Sequence, residues 1–100
     1  MHILISLIDK FDQTISTIYK EENYRYLSKT EEPHNFKYLS EVEMNDYSIF
    51  CNDRMKDVIQ ELNKVKNELT DYNDIRHVSD IIDLAQRCEN MPGSALLFAG

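Results

Sequence analysis

Between Met55 and Cys88 the apolar residues fall into two runs at helical spacing, and any fold of this chain has to bury both. Met55, Val58, Ile59, Leu62, Val65 and Leu69 follow one another three and four apart. They occupy one stripe of a helix, with Lys56, Gln60, Asn63, Lys64 and Asn67 on the wet side. Asn52 or Asp53 is placed to cap its start. Thr70 to Asp74 reads as a polar connection. A second helix then carries Ile75, Val78, Ile82, Ala85 and Cys88 inward, widened by Ile81 and Leu84. Asn90-Met91-Pro92-Gly93 ends it, because proline cannot continue a helix and glycine tolerates the turn. A connection this short predicts antiparallel helices, and their two stripes need one shared apolar surface.

Short β-prone segments supply that surface. Tyr47 to Cys51 predicts a strand leading into the first helix, and Ser94 to Ala99 a closing strand buried on both faces. Residues 1–20 read two ways. Leu4, Ile8, Phe11, Ile15 and Ile18 recur at helical spacing, yet Ile3–Ile8 and Thr14–Tyr19 are rich in β-branched residues on either side of Asp9–Gln13. The hairpin with a five-residue loop is the preferred reading. Residues 21–46 read as loop with one edge strand around Phe36 to Leu39, since Pro33 keeps Glu32 extended. With 100 residues the chain makes a single domain, 1–100. The expected class is α+β: a small antiparallel or mixed sheet, made of the N-terminal hairpin and short central and C-terminal strands, packed against two antiparallel helices.

Charge narrows the partners. Eighteen acidic against eleven basic side chains give −7, which disfavours nucleic acid and anionic membranes and favours a basic protein. Two stretches concentrate the acid. Glu31, Glu32, Glu41, Glu43 and Asp46 stand against Lys37, and Glu68, Asp71, Asp74, Asp80 and Asp83 against Arg76, each summing to −4. Tyr24, Tyr26, Tyr38, Tyr47 and Tyr72 lie among them. Tyrosine offers ring area at low entropic cost, and carboxylates take up Arg and Lys, so Glu41, Glu43, Asp46, Tyr47, Asp71, Tyr72 and Asp74 are the candidate partner-binding residues. The competing reading makes the tyrosines half-buried caps on the core and the acidity a solubility feature.

Chemistry is sparse. His2, His34 and His77 form no metal-ligand spacing, and Cys51 and Cys88 read as reduced, buried small hydrophobes. His77 reads as a solvated helix residue near Asp74 and Asp80, and Asp80 with Asp83 as a solvated acidic face. No nucleophile elbow, phosphate loop or dinucleotide fingerprint occurs. The expectation is a protein that is not an enzyme, with no catalytic residues, no cofactor and no metal. The N-terminus has no basic leader and its apolar run is too short for a span, so the cytoplasm is the expected location.

Residues 36–100 resemble a group of small bacterial proteins. The resemblance rests on Phe36-Lys37-Tyr38-Leu39, Asp46-Tyr47-Ser48-Ile49-Phe50, the run Met55–Leu69, Ile82-Asp83-Leu84-Ala85-Gln86-Arg87-Cys88, and Leu96-Leu97-Phe98-Ala99-Gly100. These are similar to that group's "F-P-x-L" entry, "T-V-F-N" strand, "L-A-x-x-C" helix end and "L-x-F-x-G-D" close. Lys37 stands where the group has proline, and no acid follows Gly100. Some members look like cognate immunity proteins of polymorphic and contact-dependent growth-inhibition toxins. The resemblance implies a cytoplasmic bacterial toxin inhibitor that binds a basic toxin C-terminal domain, often a nuclease, one to one. The alternative is a non-catalytic adaptor or regulatory module for another basic protein.

Overall fold

The computed structural model describes residues 1–100. The hairpin reading of the N-terminus is the one adopted: β1 (Leu4–Ile8) and β2 (Thr14–Ile18) pair antiparallel around a turn held by Asp9, whose carboxylate accepts from the Phe11 and Gln13 amides. A short helix α1 (Tyr24–Leu27) follows, then β3 (Tyr47–Cys51), α2 (Met55–Glu68), α3 (Tyr72–Glu89) and β4 (Ala95–Ala99). The sheet order is β2-β1-β4-β3 with every pair antiparallel, so the first and last strands lie side by side at its centre.

Alternation along the strands divides the sheet into two faces. Ile3, Ile5 and Leu7, Phe50, and Leu96 and Phe98 point at the helices and are buried. Against them pack Met55, Val58, Leu62 and Val65 of α2 and Val78, Ile81, Ile82, Ala85 and Cys88 of α3. The α2 stripe falls where its spacing predicts, and so does the α3 stripe from Val78 on, but Ile75 is only half-buried and outside the core, where Asp74 and His77 are enclosed instead. The closing strand is not buried on both faces: Leu96 and Phe98 are enclosed, while Ala95, Leu97 and Ala99 are half-buried, because the helices cover only one side.

Two boundaries and one strand differ from expectation. α3 begins at Tyr72, because the Asp71 carboxylate accepts from the Asn73 and Asp74 amides (2.9 and 3.1 Å) and caps the helix three residues before its first apolar position. Neither Asn52 nor Asp53 caps α2: residues 52–54 form a 3₁₀ turn and α2 starts at Met55 without a side-chain cap. No edge strand forms at Phe36–Leu39. The backbone there is bound instead by Glu61 of α2, whose buried carboxylate accepts from the Tyr38 amide (3.1 Å to each oxygen) and the Leu39 amide (2.9 Å) at the start of a 3₁₀ turn, Leu39–Glu41. The polar stretch 21–46 is also not simply loop. It places Tyr26, Leu27, Phe36, Tyr38, Leu39 and Val42 in the core.

Candidate interaction surface

The face of the sheet turned away from the helices has no layer over it. Tyr47, Ala99 and Leu4 form one cross-strand row, and Ile49, Leu97, Ser6 and Thr17 the next. Alternation from Thr17 puts Ile15 and Tyr19 on this side as well, and the Tyr19 ring stacks on His2 with centroids 4.5 Å apart. Eight large apolar side chains are exposed on the molecule, and five of them, Leu4, Ile15, Tyr19, Tyr47 and Ile49, lie on this one face. Half-buried Leu97 sits at its centre, and Ser6 is sealed there by a 2.8 Å hydrogen bond between its hydroxyl and that of Thr17. Exposed apolar residues scattered singly need no explanation, but a contiguous group of this kind marks a contact surface.

Carboxylates flank this face at the start of β3. The segment 39–46 is held by the Ser28 hydroxyl donating to Val42 O (2.6 Å), the Ser48 hydroxyl donating to Glu41 O (2.9 Å), and the Lys29 amide donating to Leu39 O (3.1 Å). Asn45 takes a left-handed conformation, φ 66°, which asparagine tolerates better than most residues. Gly100 closes the turn from the other side. Its amide donates to Asp46 O (2.8 Å), and a β-carbon there would lie 2.6 Å from Glu43 O, so only glycine lets the end of β4 lie against this turn. The result places exposed Glu43 and Asp46 at the Tyr47 end of β3 and exposed Glu41 beside Ser48, in a groove it shares with Lys37 and Arg54, and none of the three carboxylates makes an ion pair in the chain.

The second predicted cluster comes apart. Asp71 is the α3 cap. Asp74 is not a free surface acid but a buried one, 7% exposed, bridged by Lys20 (2.8 Å), approached by Arg25 (3.9 Å) and accepting from the Tyr26 hydroxyl at 3.4 Å. Burial, reinforced by the Asp74 charge, pushes the Tyr26 phenol well above its ordinary range. Tyr72 is exposed, but it stands on α3, away from the open face. The seven candidates thus split into four that share one end of β3 and three that do not. Tyr26 and Tyr38 are core residues and Tyr24 is half-buried, so the capping reading holds for these tyrosines.

Two further expectations are overturned. His77 is buried, 7% exposed, because Asn23, itself fully buried, reaches across to it: the Asn23 amide nitrogen lies 3.1 Å from His77 Nε2 and also donates to Ile3 O, while the Asn23 oxygen accepts from the Ile3 amide. An amide donor facing Nε2 requires an unprotonated nitrogen there, and burial depresses the imidazole's pKa below its ordinary value. Cys51 is exposed on the open face, since it occupies the same side of β3 as Tyr47 and Ile49. Cys88 is buried as expected, with its thiol pushed upward by that burial. Asp80 and Asp83 are exposed.

Leu4, Ile15, Tyr19, Ile49 and Leu97 are absent from the predicted contact set. Their signal was strand alternation: Ile3-Leu4-Ile5 and Ser48-Ile49-Phe50 place apolar side chains on both faces, although only one face has helices to meet. No group of three His, Cys, Asp or Glu residues is arranged to hold a metal ion, and no helix is long and apolar enough to cross a membrane. Comparison of the chain with family models, with curated proteins and with solved structures returned no match.

Proposed function

We propose that this protein is a non-catalytic inhibitor that binds a basic toxin domain one to one through the open face of its sheet. The observation that carries the reading is the collection of exposed apolar and aromatic side chains on one uncovered face, bordered by unpaired Glu41, Glu43 and Asp46. A contact patch with aromatic anchors and a charged margin is how a specific protein interface is built: the apolar centre supplies affinity, and the margin supplies steering and partner choice. The acidic margin selects a cationic partner. A nuclease, which must present Lys and Arg to phosphates, is such a partner. That the partner is a toxin rests on the resemblance of residues 36–100 to immunity proteins.

The test is co-expression with the toxin domain encoded in the neighbouring reading frame. The reading predicts that the two co-purify at equal stoichiometry and that cells survive induction of the toxin. Stable capture of a basic protein without protection would place the chain among adaptors. Protection without any complex would contradict inhibition by binding.

A further inference from the structure

β3 is an edge strand: no strand pairs with its outer side, where Lys37, Tyr38 and Glu41 share a shallow groove with Ile49 and Cys51. Its ladder to β4 is bracketed by the Gly100 amide donating to Asp46 O (2.8 Å) and the Asn52 amide donating to Ser94 O (3.0 Å), with unbroken register between them. In an antiparallel ladder this parity turns the amides of Ser48 and Phe50 toward β4 and those of Tyr47, Ile49 and Cys51 outward. The Tyr47 amide is taken by the Asp46 carboxylate (2.8 Å), but the amide and carbonyl of Ile49 and the amide of Cys51 meet no partner in the chain. Proteins ordinarily blunt such edges with bulges, charges, proline or a covering loop. The opposite edge, β2, has this protection: its pairing breaks at a bulge between Leu7 and Ile8. The outward residues of β3 are regular, exposed and uncharged.

The charges along this edge are arranged in opposite senses at its two ends. Glu43 and Asp46 lie at the N-terminal end, and Glu41 lines the groove alongside Ile49. At the C-terminal end Arg54 follows Cys51, beside Asp53 at 3.9 Å, and Lys37 joins it in lining the shallow groove along Ile49 and Cys51. Asp53 and Glu41 offset part of that positive charge, but an antiparallel second copy still brings exposed Arg54 toward the unpaired Glu43 and Asp46 of the other edge.

We propose that β3 pairs with β3 of a second copy about a two-fold axis through Ile49, joining two four-stranded sheets into one. In that register Ile49 faces Ile49 of the second copy and Tyr47 faces Cys51, so the outward Ile49 amide donates to the Ile49 carbonyl of the other copy and the Cys51 amide to the Tyr47 carbonyl. Arg54 of each copy comes beside the Asp46 end of the other. A one-residue slip sets outward groups against inward ones, and a parallel arrangement sets acids on acids. The pairing leaves the open faces uncovered and side by side, and it stands whether or not the basic partner proposed above is the right one.

Sedimentation equilibrium of the full chain tests it, with disulfide trapping as the register probe. Wild type should show a concentration-dependent monomer–dimer equilibrium. Ile49→Lys, which sets like charges against each other on the axis, should be monomeric over the same range and should melt as wild type does at concentrations where wild type is monomeric. Arg54→Glu should weaken the dimer and Asp46→Lys in the same chain should restore it, a comparison that stands even if Ile49→Lys fails to fold. In a Cys51→Ser background, Ile49→Cys should oxidise to a covalent dimer much faster than Tyr72→Cys, which lies off the seam. A wild type that stays monomeric at every concentration, a dimer that survives Ile49→Lys, or trapping no faster than at Tyr72 would each overturn the proposal.

Discussion

Glu61 offers the sharpest test of how the fold is held. Its carboxylate, on a side chain 6% exposed, is the acceptor for two buried backbone amides, those of Tyr38 and Leu39. These amides open the 3₁₀ turn Leu39–Glu41, from which the acidic end of β3 is built, and they have no backbone acceptor to replace Glu61. A buried donor left without a partner costs about 1–3 kcal/mol, so Glu61→Ala should lose about 2–5 kcal/mol. Glu61→Gln keeps one acceptor oxygen and should lose about 1–3 kcal/mol, the cost of one amide. For a domain of ordinary stability, about 5–15 kcal/mol, the alanine variant stays folded but gives up a large share of the total. Urea titrations of the three proteins measure the difference, and amide exchange locates it: the Tyr38 and Leu39 amides should exchange faster in the variants. An alanine variant within ~0.5 kcal/mol of wild type would mean that water or another group satisfies these amides and that Glu61 does not organise the turn.

Other consequences follow from the same packing. Leu62→Ala and Ile82→Ala, each emptying an enclosed position between helix and sheet, should cost about 2–5 kcal/mol in chemical denaturation, and losses under ~0.5 kcal/mol for both would misplace the helix faces. His77 gives a pH dependence of fixed sign. Its folded pKa lies below the ordinary value because of burial, with Lys20 acting in the same direction and Asp80 and Asp74 opposing. The unfolded chain therefore takes up the proton first, so this contribution is complete above about pH 6.5 and is lost as pH falls from there toward the folded pKa. His77→Gln should flatten that part of the profile of urea midpoint against pH, and a variant that keeps the wild-type slope would remove His77 from the account. Asp74→Asn should destabilise the fold, since it strips the buried partner from Lys20 and Tyr26, and a variant as stable as wild type would show that the cluster is not structural.

What could be read from the sequence was what periodicity encodes. The stripes on α2 and α3, the strands at Tyr47–Cys51 and the C-terminus, and the hairpin around Asp9–Gln13 each state their own geometry locally. The stretch 21–46 does not, because its order comes from distant groups: Glu61 binds the Tyr38 and Leu39 amides from α2, and Asn23 ties Ile3 to His77. Glu61 did carry a faint signal, lying three residues after Val58 and four before Val65, on the inner stripe where a lone carboxylate needs donors. Asp71 and Asp74 counted as surface charge until the fold gave one a cap to make and the other a lysine to meet. Charge totals record composition, whereas the use of each carboxylate depends on its neighbours.

The open face of the sheet, with the acids at the start of β3, is the proposed binding surface. Surface binding kinetics against the proposed basic partner, at low and high salt, test it. Leu4→Lys and Tyr47→Ala should speed dissociation, by roughly 1–3 kcal/mol each if they are anchors, with unchanged melting curves. Reversing Glu41, Glu43 and Asp46 together should slow association, more at low salt than at high, because exposed charges act over about 10 Å in dilute salt. Reversing Asp80 and Asp83 on the outer side of α3 should leave both rates near wild type. If the Leu4 and Tyr47 variants bind like wild type while the Asp80 and Asp83 variant does not, the binding surface is on the helices and the account of the open face is wrong.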